Sequence, residues 1–154
     1  MARISNISIK QQPEHYTLTV RKTIDFMKEY AEFAEQALAQ TDAYMEELDV
    51  FPISGPIACF HNTDLEQLDV EMGWQITRQA KNKNEIRCNQ IPARRIVTSI
   101  DMGPYEEQDP TLTDILEWLD TNDLQLQGPI CYCYLNDTER PATEYLTQML
   151  LPVE

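Results

Sequence analysis

The stretch Gly55-Pro56-Ile57-Ala58-Cys59-Phe60-His61-Asn62 returns later in the chain as Gly128-Pro129-Ile130-Cys131-Tyr132-Cys133-Tyr134-Leu135-Asn136. The Gly-Pro-Ile element recurs at an offset of 73 positions. Downstream, Glu71-Met72-Gly73-Trp74-Gln75-Ile76 aligns with Gln148-Met149-Leu150-Leu151-Pro152-Val153 at an offset of 77. Upstream, Ile9 to Val20 resembles Arg87 to Thr98 at an offset of 78. Three echoes in the same order read as one structural unit written twice, an internal duplication, since solenoids need three or more units to cover their faces. Two such units packed face to face would leave a cleft on a pseudo-twofold axis, where a ligand could sit.

Working outward from that stretch, each copy reads as strand, helix, strand, strand. In the first, Ile7, Ile9 and Tyr16 to Val20 are β-prone, with a kink or turn at Pro13. From Thr23 to Leu48 there is neither Gly nor Pro. Phe26, Tyr30, Phe33, Ala37, Tyr44 and Leu48 share a helical face there, beside a second apolar strip of Met27, Ala31, Ala34, Leu38 and Met45. Ile57 to His61 is a strand, and Leu68, Val70 and Met72 alternate with Asp69, Glu71 and Gly73 as another. The polar run Gln79 to Glu85 is the natural join. In the second copy Arg94 to Ile100 is a strand. Pro110 to Asp114 opens a helix with Leu112, Ile115, Leu116 and Leu119 inward, and Ile130 to Leu135 and Tyr145 to Val153 are strands. The expectation is a single α+β domain over 1–154, with repeat 1 at about 4–78, a linker at about 79–86 and repeat 2 at about 87–154.

The length of 154 residues and 42% hydrophobic content suit one soluble domain with a sizeable core. No run approaches the roughly 18 apolar residues of a membrane helix and the N-terminus lacks a signal-peptide stretch, so a cytoplasmic protein without membrane partners is expected. The net charge of −14, from 26 acidic and 12 basic residues, disfavours direct nucleic-acid binding and draws cations, although it also serves plain solubility. Cys59, Cys88, Cys131 and Cys133 lie in strand-like segments without a Cys-x-x-Cys pair and read as buried reduced thiols.

There is no Gly-x-Ser-x-Gly elbow, Walker loop or dinucleotide fingerprint, and His15 and His61 lack the neighbours of a zinc site. Neither a cofactor nor a metal is therefore expected, and His61 reads as a pocket-rim or core residue before a catalytic base. Carboxylates and tyrosines remain as proton-transfer groups. Cys59 and Tyr132 are equivalent in the two copies, as are Glu71 and Gln148, and both pairs would approach the axis. Trp74 follows Glu71 by three residues, and Trp118 lies near the inward face of the second helix, where core packing is the plainer role. Aromatic walls around one buried carboxylate suit an organic cation. A solvated strand face beside Asp69 is the competing reading for Glu71. The long helix's aromatic stripe reads as core, with Tyr44 the exception because a buried phenol needs a polar partner. Met102-Gly103-Pro104-Tyr105-Glu106-Glu107 is a turn able to set Tyr105 over a cleft mouth.

At Gly103-Pro104-Tyr105-Glu106, Gly128-Pro129, Tyr134-Leu135-Asn136-Asp137 and Leu151-Pro152-Val153, the chain resembles the GyrI-like (gyrase-inhibitor-like) small-molecule-binding domains. These also serve as effector-binding domains of AraC-type and MerR-type multidrug regulators. The resemblance covers almost the whole chain. It implies paired modules around a central cleft for bulky, often cationic, aromatic compounds, with tyrosines and a buried glutamate. Some relatives resemble hydrolases of strained rings, and others act on gyrase. Many carry an acidic residue where this chain has Tyr132 and Gln148, which leaves Glu71 or Glu106 as substitute charges. The regulators' DNA-binding segment is also missing, so a stand-alone module is expected. Its reading is a binding protein for hydrophobic, cationic small molecules, using Tyr44, Cys59, His61, Glu71, Trp74, Tyr105, Glu106, Trp118, Tyr132 and Gln148. The alternatives are a hydrolase in which Glu71 or Glu106 activates water, and an acidic module that engages a protein partner, gyrase or a regulator.

Overall fold

Alternation of apolar and polar residues, broken by Gly-Pro turns, produces strands that pair antiparallel within each of two sets in the computed structural model, which describes residues 3–154. The strands are β1 (Ser8–Gln12), β2 (His15–Ile24), β3 (Ile57–Phe60), β4 (Leu68–Ile76), β5 (Arg87–Ile91), β6 (Arg94–Met102), β7 (Ile130–Tyr134) and β8 (Leu146–Val153). Two helices, α1 (Phe26–Leu48) and α2 (Asp109–Thr121), complete an α+β fold. The chain divides into two compact units. One is Pro13–Ala93, and the other joins residues 3–12 to Arg94–Glu154.

In the Pro13–Ala93 unit the strand order is β3-β4-β2-β5, and α1 packs against β2 and β4. The segment 79–86 lies inside this unit and ends where β5 begins, with Ala80 N donating to Cys88 Sγ and Cys88 N to Asn82. Asp25 caps α1 by accepting from Lys28 N, and Glu29 returns a bond from the Asp25 amide. The helix stops at Asp49, whose left-handed φ of 54° closes its C-terminus. Phe33, Ala37, Thr41, Tyr44 and Met45 are buried, but Met27 and Ala31 stand in water. The second apolar strip therefore joins the core only in its C-terminal half. Leu18, Val20, Leu68, Val70, Met72 and Ile76 form the sheet side of this core. At Gly73 a side chain would press into the Leu18 carbonyl oxygen and within 2.8 Å of the Thr19 Cα, so β2 and β4 approach as closely as they do only over a glycine.

In the other unit the order is β1-β6-β8-β7. Strand β1, which precedes β2 in sequence, pairs with β6, in register from Ser8 opposite Thr98 to Gln12 opposite Arg94. Its core is Val97, Ile115, Leu119, Met149, Leu151 and Val153, over which Leu112, Trp118, Ile130 and Tyr132 pack. Pro110 in the first turn of α2 and the 3-10 turn at Tyr105–Glu107 set the entry to that helix.

Candidate ligand-binding site

Glu71 lies mid-way along β4 and points to the sheet face opposite α1, because strand side chains alternate. The same face carries Cys59 from β3, directly across the ladder, and Thr17 and Thr19 from β2. Its carboxylate is 16% exposed, and both oxygens are engaged. Oε1 is 2.8 Å from His61 Nε2. Oε2 accepts from the Thr19 hydroxyl at 2.6 Å and from Asn89 Nδ2 at 3.2 Å. Asn89, on β5, also donates to Thr19 Oγ1 at 2.9 Å and Thr17 Oγ1 at 3.1 Å. Strands β2, β4 and β5 and the residue just past β3 thus converge on one carboxylate and fix its rotamer. The solvated-face reading fits Asp69 instead, where Arg21 donates twice, at 2.8 and 2.7 Å. That guanidinium holds the Asp69 carboxyl below the ordinary range, against the opposing effect of burial, and Asp69 in turn raises Arg21.

Trp74 does not join Glu71. Three residues on, it faces α1, and its Nε1 donates to Thr41 Oγ1 at 2.9 Å. Tyr44 is also on the helix side, where its hydroxyl finds its polar partner in the Lys81 carbonyl at 2.8 Å, and Lys83 Nζ sits 5.1 Å over its ring.

In the second unit Gln148 faces away from α2 and donates to Thr98 Oγ1 at 3.0 Å. Opposite it across the ladder is Cys133, whereas Tyr132 lies opposite Met149 and packs against the α2 core. The residue that stands to Gln148 as Cys59 stands to Glu71 is therefore Cys133. The pairing of Cys59 with Tyr132 expected from the sequence is off by one, and on a strand one residue reverses the face. Asn62 and Asn136, one residue past that count, make like pairs of bonds. Asn62 accepts from Asp69 N and donates to Gln67 O, while Asn136 accepts from Leu146 N and donates to Glu144 O. The spacing of these asparagines, 74 rather than 73, was the sequence signal for the shift.

Tyr105 rests on Tyr145, with centroids 4.8 Å apart, and on Tyr134 at 5.0 Å, so this loop does build an aromatic surface, one that also includes the unforeseen Tyr145. Burial, aided by Tyr145, raises the Tyr105 phenol above its ordinary value. Glu106 is exposed beside it, and Trp118 is half-buried on the α2 core, in line with core packing. Among the described residues no cluster of three or more His, Cys, Asp or Glu could hold a metal. Nor is any helix there long and apolar enough to cross a membrane.

The model of the GyrI-like small molecule binding domain matches residues 5–154. The chain belongs to this family. No curated protein matches it. Among solved structures, the C-terminal domain of EcmrR superposes with a TM-score of 0.79 at 20% identity, over 97% of both chains. In the EcmrR–DNA complex the TM-score is 0.83 at 20% identity, over 97% of this chain and 57% of that one, so this chain spans little more than half of its length. SAV2435 bound to tetraphenylphosphonium gives 0.67 at 9% identity, over 97% and 94% of the chains. A hydrolase from Listeria innocua gives 0.66 at 16% identity, over 96% and 92%.

In this GyrI-like chain Glu71 is a carboxylate held by Thr19 of β2, Asn89 of β5 and His61 just past β3. A sunken carboxylate with fixed oxygens can neutralise an organic cation with little reorganisation, and it can accept a hydrogen bond from an N–H donor. Glu106, free of such a frame, offers only a solvated charge.

Proposed function

We propose that this chain is a binding module for hydrophobic organic cations, with Glu71 as the charge partner. The observation that carries this reading is the Glu71 carboxylate, sunk in the sheet face opposite α1 and oriented by Thr19, Asn89 and His61. A desolvated carboxylate attracts a diffuse organic cation more strongly than a solvated one does, and such a cation sheds its own hydration at little cost. The net charge of −14 favours the approach of cations. Tetraphenylphosphonium, the ligand bound to SAV2435, has this chemistry.

Calorimetric titration with tetraphenylphosphonium tests the reading. Saturable binding is expected, weakened about tenfold or more by Glu71→Gln, in keeping with the loss of a charged partner. Absence of saturable binding with tetraphenylphosphonium and with a panel of lipophilic cationic dyes would overturn it. Hydrolysis by Glu71 with a tyrosine as proton donor finds less support, since the groups bonded to Glu71 are an imidazole, a hydroxyl and an amide.

A further inference from the structure

Glu71 already holds a partner that can carry positive charge. We propose that His61 sets the charge selectivity of the Glu71 site, so that an organic cation binds by displacing the proton that the imidazole would otherwise hold. This rests on the reading of Glu71 as the ligand's charge partner.

His61 Nε2 lies 2.8 Å from Glu71 Oε1, and both side chains are more than four-fifths buried. The bond exists in either protonation state, but its charge does not. A neutral imidazole leaves the carboxylate's charge available to a ligand, whereas an imidazolium cancels it and repels a second cation in a region that water screens poorly. The charged or titratable groups beside Glu71 in the ladder do not take over that role, and the other imidazole on this face, His15, lies at the far end of β2 against the Pro13 carbonyl. Arg21 lies across the ladder from Glu71, but its guanidinium is committed to both oxygens of Asp69. Asp69 flanks Glu71 on β4 and is balanced by the same arginine. Arg87 on β5 stands opposite Thr19 and is exposed, and Cys59 on β3 faces Glu71 with a thiol. Thr19 and Asn89 stay neutral at every pH. Among the described residues His61 makes the one ion pair with Glu71.

Cation binding and proton binding at His61 then oppose each other, so the sign of the pH effect is fixed: affinity for a cation rises with pH across the imidazole range. Titration of the full chain with tetraphenylphosphonium at pH 5.5 and pH 8.0 should show tighter binding at the higher pH, by about tenfold where a proton must leave before the cation enters. Calorimetry at pH 5.5 in buffers of different ionisation enthalpy should show protons released as the ligand binds. His61→Gln, which keeps an N–H for Glu71 but cannot titrate, should bind with nearly the same affinity at both pH values and release no proton.

Saturable binding whose affinity changes less than about twofold between these pH values, without proton release, overturns the role of His61 and leaves the Glu71 reading intact. Absence of binding at either pH removes both. The proton count is measured on the unsubstituted chain, so the outcome does not depend on the variant folding.

Discussion

The indole of Trp74 donates to the hydroxyl of Thr41 at 2.9 Å, and that hydroxyl donates in turn to the Ala37 carbonyl at 2.8 Å. One threonine thus ties β4 to the middle of α1. Thr41→Val keeps the volume but leaves the indole N–H without its acceptor, at a cost of about 1–3 kcal/mol. Urea denaturation should show this as a lower midpoint with an unchanged slope, and tetraphenylphosphonium affinity should hold, because Glu71 lies on the other face of the sheet.

Gly73→Ala should be far more damaging than its single methyl suggests. The added carbon would meet the backbone of Leu18 and Thr19, which cannot yield without parting β2 from β4. A loss of roughly 3 kcal/mol or more is expected, at or beyond the upper range for overpacking. Near-normal thermal stability of this variant would contradict the close approach.

Asn62 and Asn136 each use both ends of the side-chain amide to close the turn into the strand that follows, β4 and β8 respectively. Replacing either with alanine should cost about 1–2 kcal/mol, because a backbone N–H and a carbonyl each lose a partner. Asn62→Ala should also loosen the chain around His61 and weaken cation binding modestly. Asn136→Ala, in the other unit, should affect stability alone.

The Arg21–Asp69 pair predicts an acid limb in stability. The Asp69 carboxyl is held below its ordinary value, so its contribution is fully present above the unfolded carboxylate value and is lost as the pH falls through the lower folded value. The pair is partly exposed, so the contribution is at most about 1 kcal/mol and is reduced by salt. In chemical denaturation between pH 5 and pH 2, Asp69→Asn should be less stable than the unsubstituted chain at the upper end and converge with it at the lower.

The helices and most strand limits were legible from sequence because each depends on local period and punctuation. The Gly-free run ending at Leu48, the Pro110 start and the alternation around Glu71 all carry that information. Partnership was not legible. Nothing in Ser8 to Gln12 says that its ladder partner lies in Arg94 to Met102, and Arg87–Ile91 was visible only as a weak echo of the N-terminal strand. The Glu71 network needed that second strand, since Asn89 belongs to it. The slip at Tyr132 has a plainer cause. A match anchored on Gly-Pro-Ile measures the turn, whereas the face of a strand is set by the ladder that follows it.

The placement of β1 bears on the order in which the polypeptide is made. Translation delivers β1 before the whole of Pro13–Ala93, and only afterwards the β6 strand with which β1 pairs. A nascent chain halted at Ala93 therefore carries a complete set of β2, β3, β4 and β5 together with an N-terminal strand whose backbone donors and acceptors have no ladder to join. Until Arg94–Met102 leaves the ribosome, Ser8–Gln12 has no β6 to pair with, and with Ile9 as its one apolar residue the segment is suited to water.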